Sequence, residues 1–169
     1  VVHDIVTEHL GAAERYAAAG AVVGATPNGD HDQLLRKSIT EAWQARQAAV
    51  FDGIAVIHEP RVVDGCYRAI TGSDDRRRAE ALALIEESAS RQVVRRLDPI
   101  LRASPDYNVR GVSSGRADVI ATLRRDEDPW VAQCATYLDT GGGPEAMEVI
   151  ERVFLLQRVE VFSDTPSHH

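Results

Sequence analysis

Apolar residues recur at three- and four-residue spacing along most of the chain, and prolines and glycines cut that recurrence into runs. A 3.6-residue period puts such residues on one stripe of a helix, whereas a half-buried strand alternates at every second position. Val2, Val6, Tyr16, Ala17 and Gly20 lie near one face of a first helix over about His3 to Gly24, and Pro27-Asn28-Gly29 supplies the turn that ends it. Asp30 stands as an N-cap, with Gln33 three residues on, for a long second helix. Its stripe is Leu35, Ile39, Trp43, Val50, Ile54 and Ile57, and it is expected to run to about Glu59, where Pro60 forces a boundary.

Pro60 suits the first position of a third helix with Val63, Cys66, Tyr67 and Ile70 on its apolar face. Thr71-Gly72-Ser73 closes it, and Ser73 or Asp74 caps a fourth helix carrying Ala79, Leu82 and Ile85. A fifth holds Val94, Leu97 and Leu101, and a loop follows from Ser104-Pro105 to about Ser114. Helix six holds Val119, Ile120 and Leu123. Asp128-Pro129 opens helix seven, the cap and the N1 proline in their favoured order, with Trp130, Cys134 and Leu138 on its face. Gly141-Gly142-Gly143-Pro144 is a flexible break before a last helix with Met147, Ile150 and Phe154. No segment alternates as a strand. The expected fold is all-α: an α-hairpin solenoid of about eight helices, HEAT- or armadillo-like, in which each pair buries its stripe against the next.

The length, 169 residues, suits one domain. The formal charge of −7 argues against general nucleic-acid binding, which needs a basic surface to displace counterions. The longest uncharged apolar stretch, near Tyr16 to Ala25, is shorter than the roughly 20 residues of a membrane span. Cys66 and Cys134 are far apart among apolar neighbours and are expected as buried free thiols in a reducing, cytoplasmic setting. The chain opens at Val1 with no Met and no n-region/h-region pattern, so no signal peptide is visible; a piece of a longer chain is expected.

Candidate chemistry is sparse. His3, His9, His31 and His58 form no His-x-x-x-His or His-Glu-x-x-His pair, the spacing that sets two ligands on one helix face. Asp30-His31-Asp32 reads as a solvated helix start, with a divalent-ion site as the alternative. His58-Glu59 reads as a helix end. Asp4/Glu8 and Glu86/Glu87 read as solvated faces, since an acid–base pair needs environments that separate two pKa values. Asp74-Asp75 suits the positive end of a helix dipole, and Arg76-Arg77-Arg78 reads as a solvated first turn. Trp43 and Trp130 read as core. Gly141-Gly142-Gly143 lacks the Lys-Ser/Thr and the preceding strand of a phosphate loop, so a hinge is the better reading. No catalytic, cofactor-binding or metal-binding residue is assigned, and no cofactor is expected.

Two segments, Leu34 to Leu101 and Asp126 to Ser163, carry a family resemblance. Residues Val50 to Pro60 lead a long helix into a proline-started one. Gly72-Ser73-Asp74-Asp75-Arg76-Arg77-Arg78-Ala79-Glu80-Ala81-Leu82 is a turn into an Arg-rich helix start, and Leu97-Asp98-Pro99-Ile100-Leu101 ends the next helix. Asp128-Pro129-Trp130 starts another, and the run from Met147 to Ser163 ends in Val161-Phe162-Ser163. Together they resemble the HEAT-like helical domain of bacterial proteins that fuse a transporter, of the major-facilitator or ATP/ADP-translocase type, to a cyclic-nucleotide-binding domain. At Glu80-Ala81-Leu82-Ala83 the chain departs from that family's Asn-Ala-Leu-Glu core.

The resemblance implies a HEAT-like domain over residues 1–140, then a glycine hinge and helix over 141–169 leading into a cyclic-nucleotide-binding domain outside the chain. It implies a non-enzymatic scaffold whose partners are the neighbouring domains, on the cytoplasmic side of the inner membrane. The alternatives are a protein-interaction module, since helical stacks offer extended concave surfaces, and a helical-bundle metal protein or enzyme.

Overall fold

The computed structural model describes residues 2–25, 30–56, 58–72, 74–88, 93, 95–97 and 115–141, with Val2, Asp30, His31 and Ser88 as backbone only. It contains six bounded helices: α1 (Val2–Gly24), α2 (Asp30–Ala55), α3 (Pro60–Thr71), α4 (Asp75–Ser88), α5 (Arg116–Leu123) and α6 (Pro129–Asp139). Val93 and residues 95–97 are helical as well, and no strand occurs among the described residues. The all-α class therefore stands. The expected 104–114 loop, the helix after residue 143 and the closing run to Ser163 lie outside the described residues.

Helices α1 and α2 form an antiparallel pair. Val6 near the start of α1 meets Gly53 near the end of α2, and at the other end Gly24 lies beside Arg36. Leu10, Ala13, Tyr16, Ala17 and Val23 face Leu35, Ile39, Val50 and Ile54 in one buried cluster. Gly53 permits the closest approach: a Cβ there would stand 2.8 Å from Val6 Cγ2, well inside the roughly 3.5–4.0 Å at which carbons pack.

Helix α2 stops at Ala55, four residues before the expected end at Glu59. Glu59 precedes a proline and takes an extended backbone, φ −62° and ψ 116°, because the ring of Pro60 crowds the helical conformation of its neighbour. Its carbonyl starts the next helix instead, accepting from the N–H groups of Val62 at 3.0 Å and Val63 at 3.2 Å. A turn must intervene, so α2 unwinds early. Pro60 occupies the first turn of α3, as its missing donor allows.

Val63, Cys66 and Ile70 form the buried stripe of α3, and Tyr67 meets Phe51 of α2 with ring centroids 4.8 Å apart. Helix α4 packs on α3 through Ala81 and Ile85. Ala79, expected on that face, is exposed. The Asp74 carboxylate caps α4 by accepting from Arg76 N at 3.0 Å and Arg77 N at 3.1 Å. Asp128 caps α6 in the same way, accepting from Trp130 N at 2.9 Å and Val131 N at 3.2 Å.

Hairpin α3/α4 packs on α2, while α6 packs on α2 and α5 on α1. A solenoid stacked in chain order would set α3/α4 between the other two pairs. Among the described helices α1/α2 holds that central place.

Gly53→Ala is expected to destabilise the protein by about 1–3 kcal/mol through overpacking, against a helix-propensity gain of about 1 kcal/mol. In a Val6→Ala background the same change should cost little, because the opposing methyl is gone. Urea midpoints of the four proteins check this.

Candidate functional site

The charged and hydroxyl groups that reach between helices are where chemistry would have to reside. The most buried is Asp32 in the first turn of α2, 1% exposed. Arg116, the first residue of α5, pairs with it through Nη2 and donates through Nη1 to the carbonyl of Val23 at 3.1 Å. One guanidinium thus ties the end of α1, the start of α2 and the start of α5. The Val23 carbonyl is among those an α-helix leaves without an intrahelical donor, so the arginine completes the end of α1. Asp32 also sits where the positive end of the α2 dipole favours a carboxylate. The reading of Asp30-His31-Asp32 as a solvated helix start is corrected at Asp32, whose carboxylate points into the protein; the side chains of Asp30 and His31 lie outside the described residues. A signal was available, for Asp32 stands three residues before Leu35 on the stripe that continues to Ile39 and Trp43.

The Arg76–Arg78 run divides similarly. Arg76 and Arg77 are exposed and pair with Glu80 and Asp74 on their own helix start. Arg78 is not solvated as expected. It donates to the carbonyls of Ile70 at 3.0 Å and Gly72 at 2.9 Å, closing the end of α3 from the start of α4.

A third group of ties joins α1 and α2 to the turn before α6. Tyr16 donates its hydroxyl to Asp126 Oδ1 at 2.5 Å, and that oxygen also accepts from the N–H of Asp128 at 2.9 Å. Burial, and then the bond to Asp126, push the Tyr16 phenol well above its ordinary pKa, so it stays neutral. Arg46 of α2 bonds Glu127 at 2.8 Å and meets His9 Nδ1 at 3.2 Å. Trp130 donates its indole N–H to Glu41 at 3.0 Å, joining α6 to α2. Arg96 reaches Glu14 of α1 with two bonds, 3.0 and 2.9 Å.

The histidines whose side chains are described are not brought together. His3 lies 3.4 Å from Thr7 Oγ1 on the surface, His9 is on Arg46, and His58 lines a cavity of about 110 Å³ with Glu59, Val62, Cys66, Leu84 and Ile85. Among the described residues no group of three His, Cys, Asp or Glu side chains could hold a metal ion. Asp4, Glu8, Glu86 and Glu87 are exposed, as expected of solvated faces. Both cysteines are buried free thiols. Burial pushes Cys134 up to about 11, which holds it as an unreactive thiol at neutral pH. Trp43 and Trp130 are core residues, and Trp43 Nε1 is buried with no hydrogen-bond partner among the described residues.

Of the proposed hinge Gly141, Gly142 and Gly143, only Gly141 is described. It is exposed and has φ +73°, a left-handed conformation that glycine adopts without strain at a helix end.

Sequence reading did not anticipate the cleft between α1 and α5, about 230 Å³ in volume. Ala18, Ala19, Val119 and Leu123 form its walls, and Arg15, Tyr16, Asp118, Thr122 and Asp126 contribute its polar groups. No family model, curated protein or solved structure matches the chain.

Removing Arg116 takes away the cation facing a buried carboxylate, so Arg116→Met is expected to cost about 3 kcal/mol or more. Adding Asp32→Asn should recover much of that loss, and chemical denaturation of the single and double variants measures the coupling. The folded protein holds the Tyr16 proton more tightly than the unfolded chain, whose tyrosine ionises near pH 10. This contribution is therefore present below about pH 10 and is lost as pH rises above it. Tyr16→Phe should flatten the alkaline limb of a stability-versus-pH curve and leave its neutral region the same shape.

Proposed function

We propose that the chain is a non-enzymatic scaffold of packed helical hairpins, related to the HEAT-like kind but with α1/α2 at its centre in place of a stack in chain order. In this reading it joins a membrane transporter module to a cyclic-nucleotide-binding domain on the cytoplasmic side of the membrane. The observation that carries the scaffold reading is the use made of the polar groups. Arg116, Arg78, Tyr16, Arg46 and Trp130 each tie one helix to another or to its adjoining turn. Such ties resist shear between helices, as a load-transmitting spacer needs. The residues behind the family resemblance serve the same end: Pro60, Asp74 and Asp128 begin helices. No described helix is long and apolar enough to cross a membrane, so a transporter would be contributed by another part of the longer protein.

A second reading, a protein-interaction module, is favoured by Val62 and Leu84, about half exposed at the small cavity between α3 and α4. The test is the complete reading frame that encodes the chain. Several membrane-spanning runs upstream and a β-roll with a phosphate cassette downstream are the expected result. A reading frame that stops at the ends of this chain, or neighbours of another class, would overturn the linker assignment. In the longer protein, replacing Gly141-Gly142-Gly143 with alanines should change how nucleotide affinity depends on the state of the transporter. Nucleotide affinity and transport that stay independent in both versions would remove the coupling role.

A further inference from the structure

The cleft between α1 and α5 lies outside the scaffold argument. It is larger than the space of one water, and at about 230 Å³ it falls below the roughly 300–1,000 Å³ of drug-sized pockets. Its apolar walls are the methyls of Ala18 and Ala19 on α1 and the side chains of Val119 and Leu123 on α5. The small side chains on α1 leave the room, and the larger ones on α5 form the opposite side.

The polar groups of the cleft are nearly all acceptors. The Tyr16 hydroxyl hydrogen is engaged by Asp126, and the Thr122 hydroxyl hydrogen by the carbonyl of Asp118 at 2.9 Å. Each oxygen therefore turns lone pairs alone toward the cleft. Asp126 brings a second carboxylate oxygen beyond the one that Tyr16 and the Asp128 N–H occupy. Asp118 brings a whole carboxylate. The one donor side chain, Arg15, is drawn toward Glu127, 4.0 Å away. Two carboxylates and two hydroxyl lone-pair sets thus face one guanidinium that already has an acidic neighbour.

We propose that this cleft binds a small organic cation: an alkyl ammonium whose short aliphatic body lies between the apolar walls and whose three N–H donors are met from among the acceptors that line it, Asp118 and Thr122 on α5 and Asp126 and Tyr16 beside them. An anion would meet the carboxylates, and a neutral alcohol could satisfy only one acceptor. The inference is independent of the linker assignment, because the cleft is built from α1, α5 and the turn before α6 alone.

The test is a titration of the full 169-residue chain, followed by backbone amide NMR, with butylammonium, 1-butanol and butyrate as probes. Butylammonium is expected to give saturable shifts at Ala18, Ala19, Val119 and Thr122, weakened by added salt. Butanol and butyrate are expected to give none that saturate. Asp118→Asn removes an exposed charge that no described cation pairs with, and should weaken butylammonium by roughly two- to fivefold, the size of one exposed charge pair. Thr122→Val removes an acceptor without altering charge and should also weaken it, with the fold checked by the unchanged remainder of the spectrum. Equal shifts from butanol, no saturable shift from butylammonium, or unchanged affinity in both variants would each overturn the proposal. A peptide bearing one lysine serves as a further arm: if it saturates these amides far more tightly than butylammonium does, the free-amine assignment is overturned in favour of a partner's side chain.

Discussion

Everything in the arrangement of α1, α2 and α5 turns on a carboxylate placed where water does not reach. Asp32 is 1% exposed, and burying a charge is costly unless a partner and hydrogen bonds meet it. Arg116 meets it from 84 residues away and also donates to the Val23 carbonyl at the end of α1. Remove Arg116 and a buried carboxylate loses its paired charge. That requirement fixes how far α5 can move relative to the α1/α2 pair more firmly than apolar packing would, because hydrophobic contact is not directional, whereas a guanidinium fork is.

The same device recurs. At two helix ends, α1 and α3, the terminal carbonyls are met by an arginine from the beginning of a different helix, Arg116 and Arg78. Arginine can do this because its planar fork holds several donors in fixed directions. The chain has 18 arginines and one lysine; at these two positions the structure gives arginine a use that lysine, a compact point charge, would serve less well. The fold is then a set of helical pairs whose apolar stripes supply the energy and whose arginines and caps set the register.

This division of labour bears on function. The groups that could have been candidates for chemistry are drawn into structural bonds: Tyr16 by Asp126, Glu41 by Trp130, Glu127 by Arg46. The two thiols are buried and their pKa values raised. The α1/α5 cleft is the exception in being lined by more acceptors than its one donor side chain, Arg15, can match, and it lies beside the Tyr16–Asp126 bond that helps hold α6 in place.

Much of the helical outline was legible in the residues. Pro60 and Asp128-Pro129 mark helix starts because a proline's fixed φ and a carboxylate cap act within a few residues, and the stripes of α2, α3 and α6 follow from a local period. The end of α2 was misjudged only by the turn that Glu59 must make before Pro60. What the letters could not show was which charges lie inside. Asp32 and Arg78 look like solvated residues at helix starts until Arg116 and the end of α3 arrive beside them. The cleft is likewise a product of two helices some hundred residues apart in sequence. Helix starts and stripes depend on neighbours three or four residues away, so the sequence by itself determined them. Burial of a charge, the central place of α1/α2 and the room between α1 and α5 depend on which distant surfaces meet, so only the tertiary structure decided them.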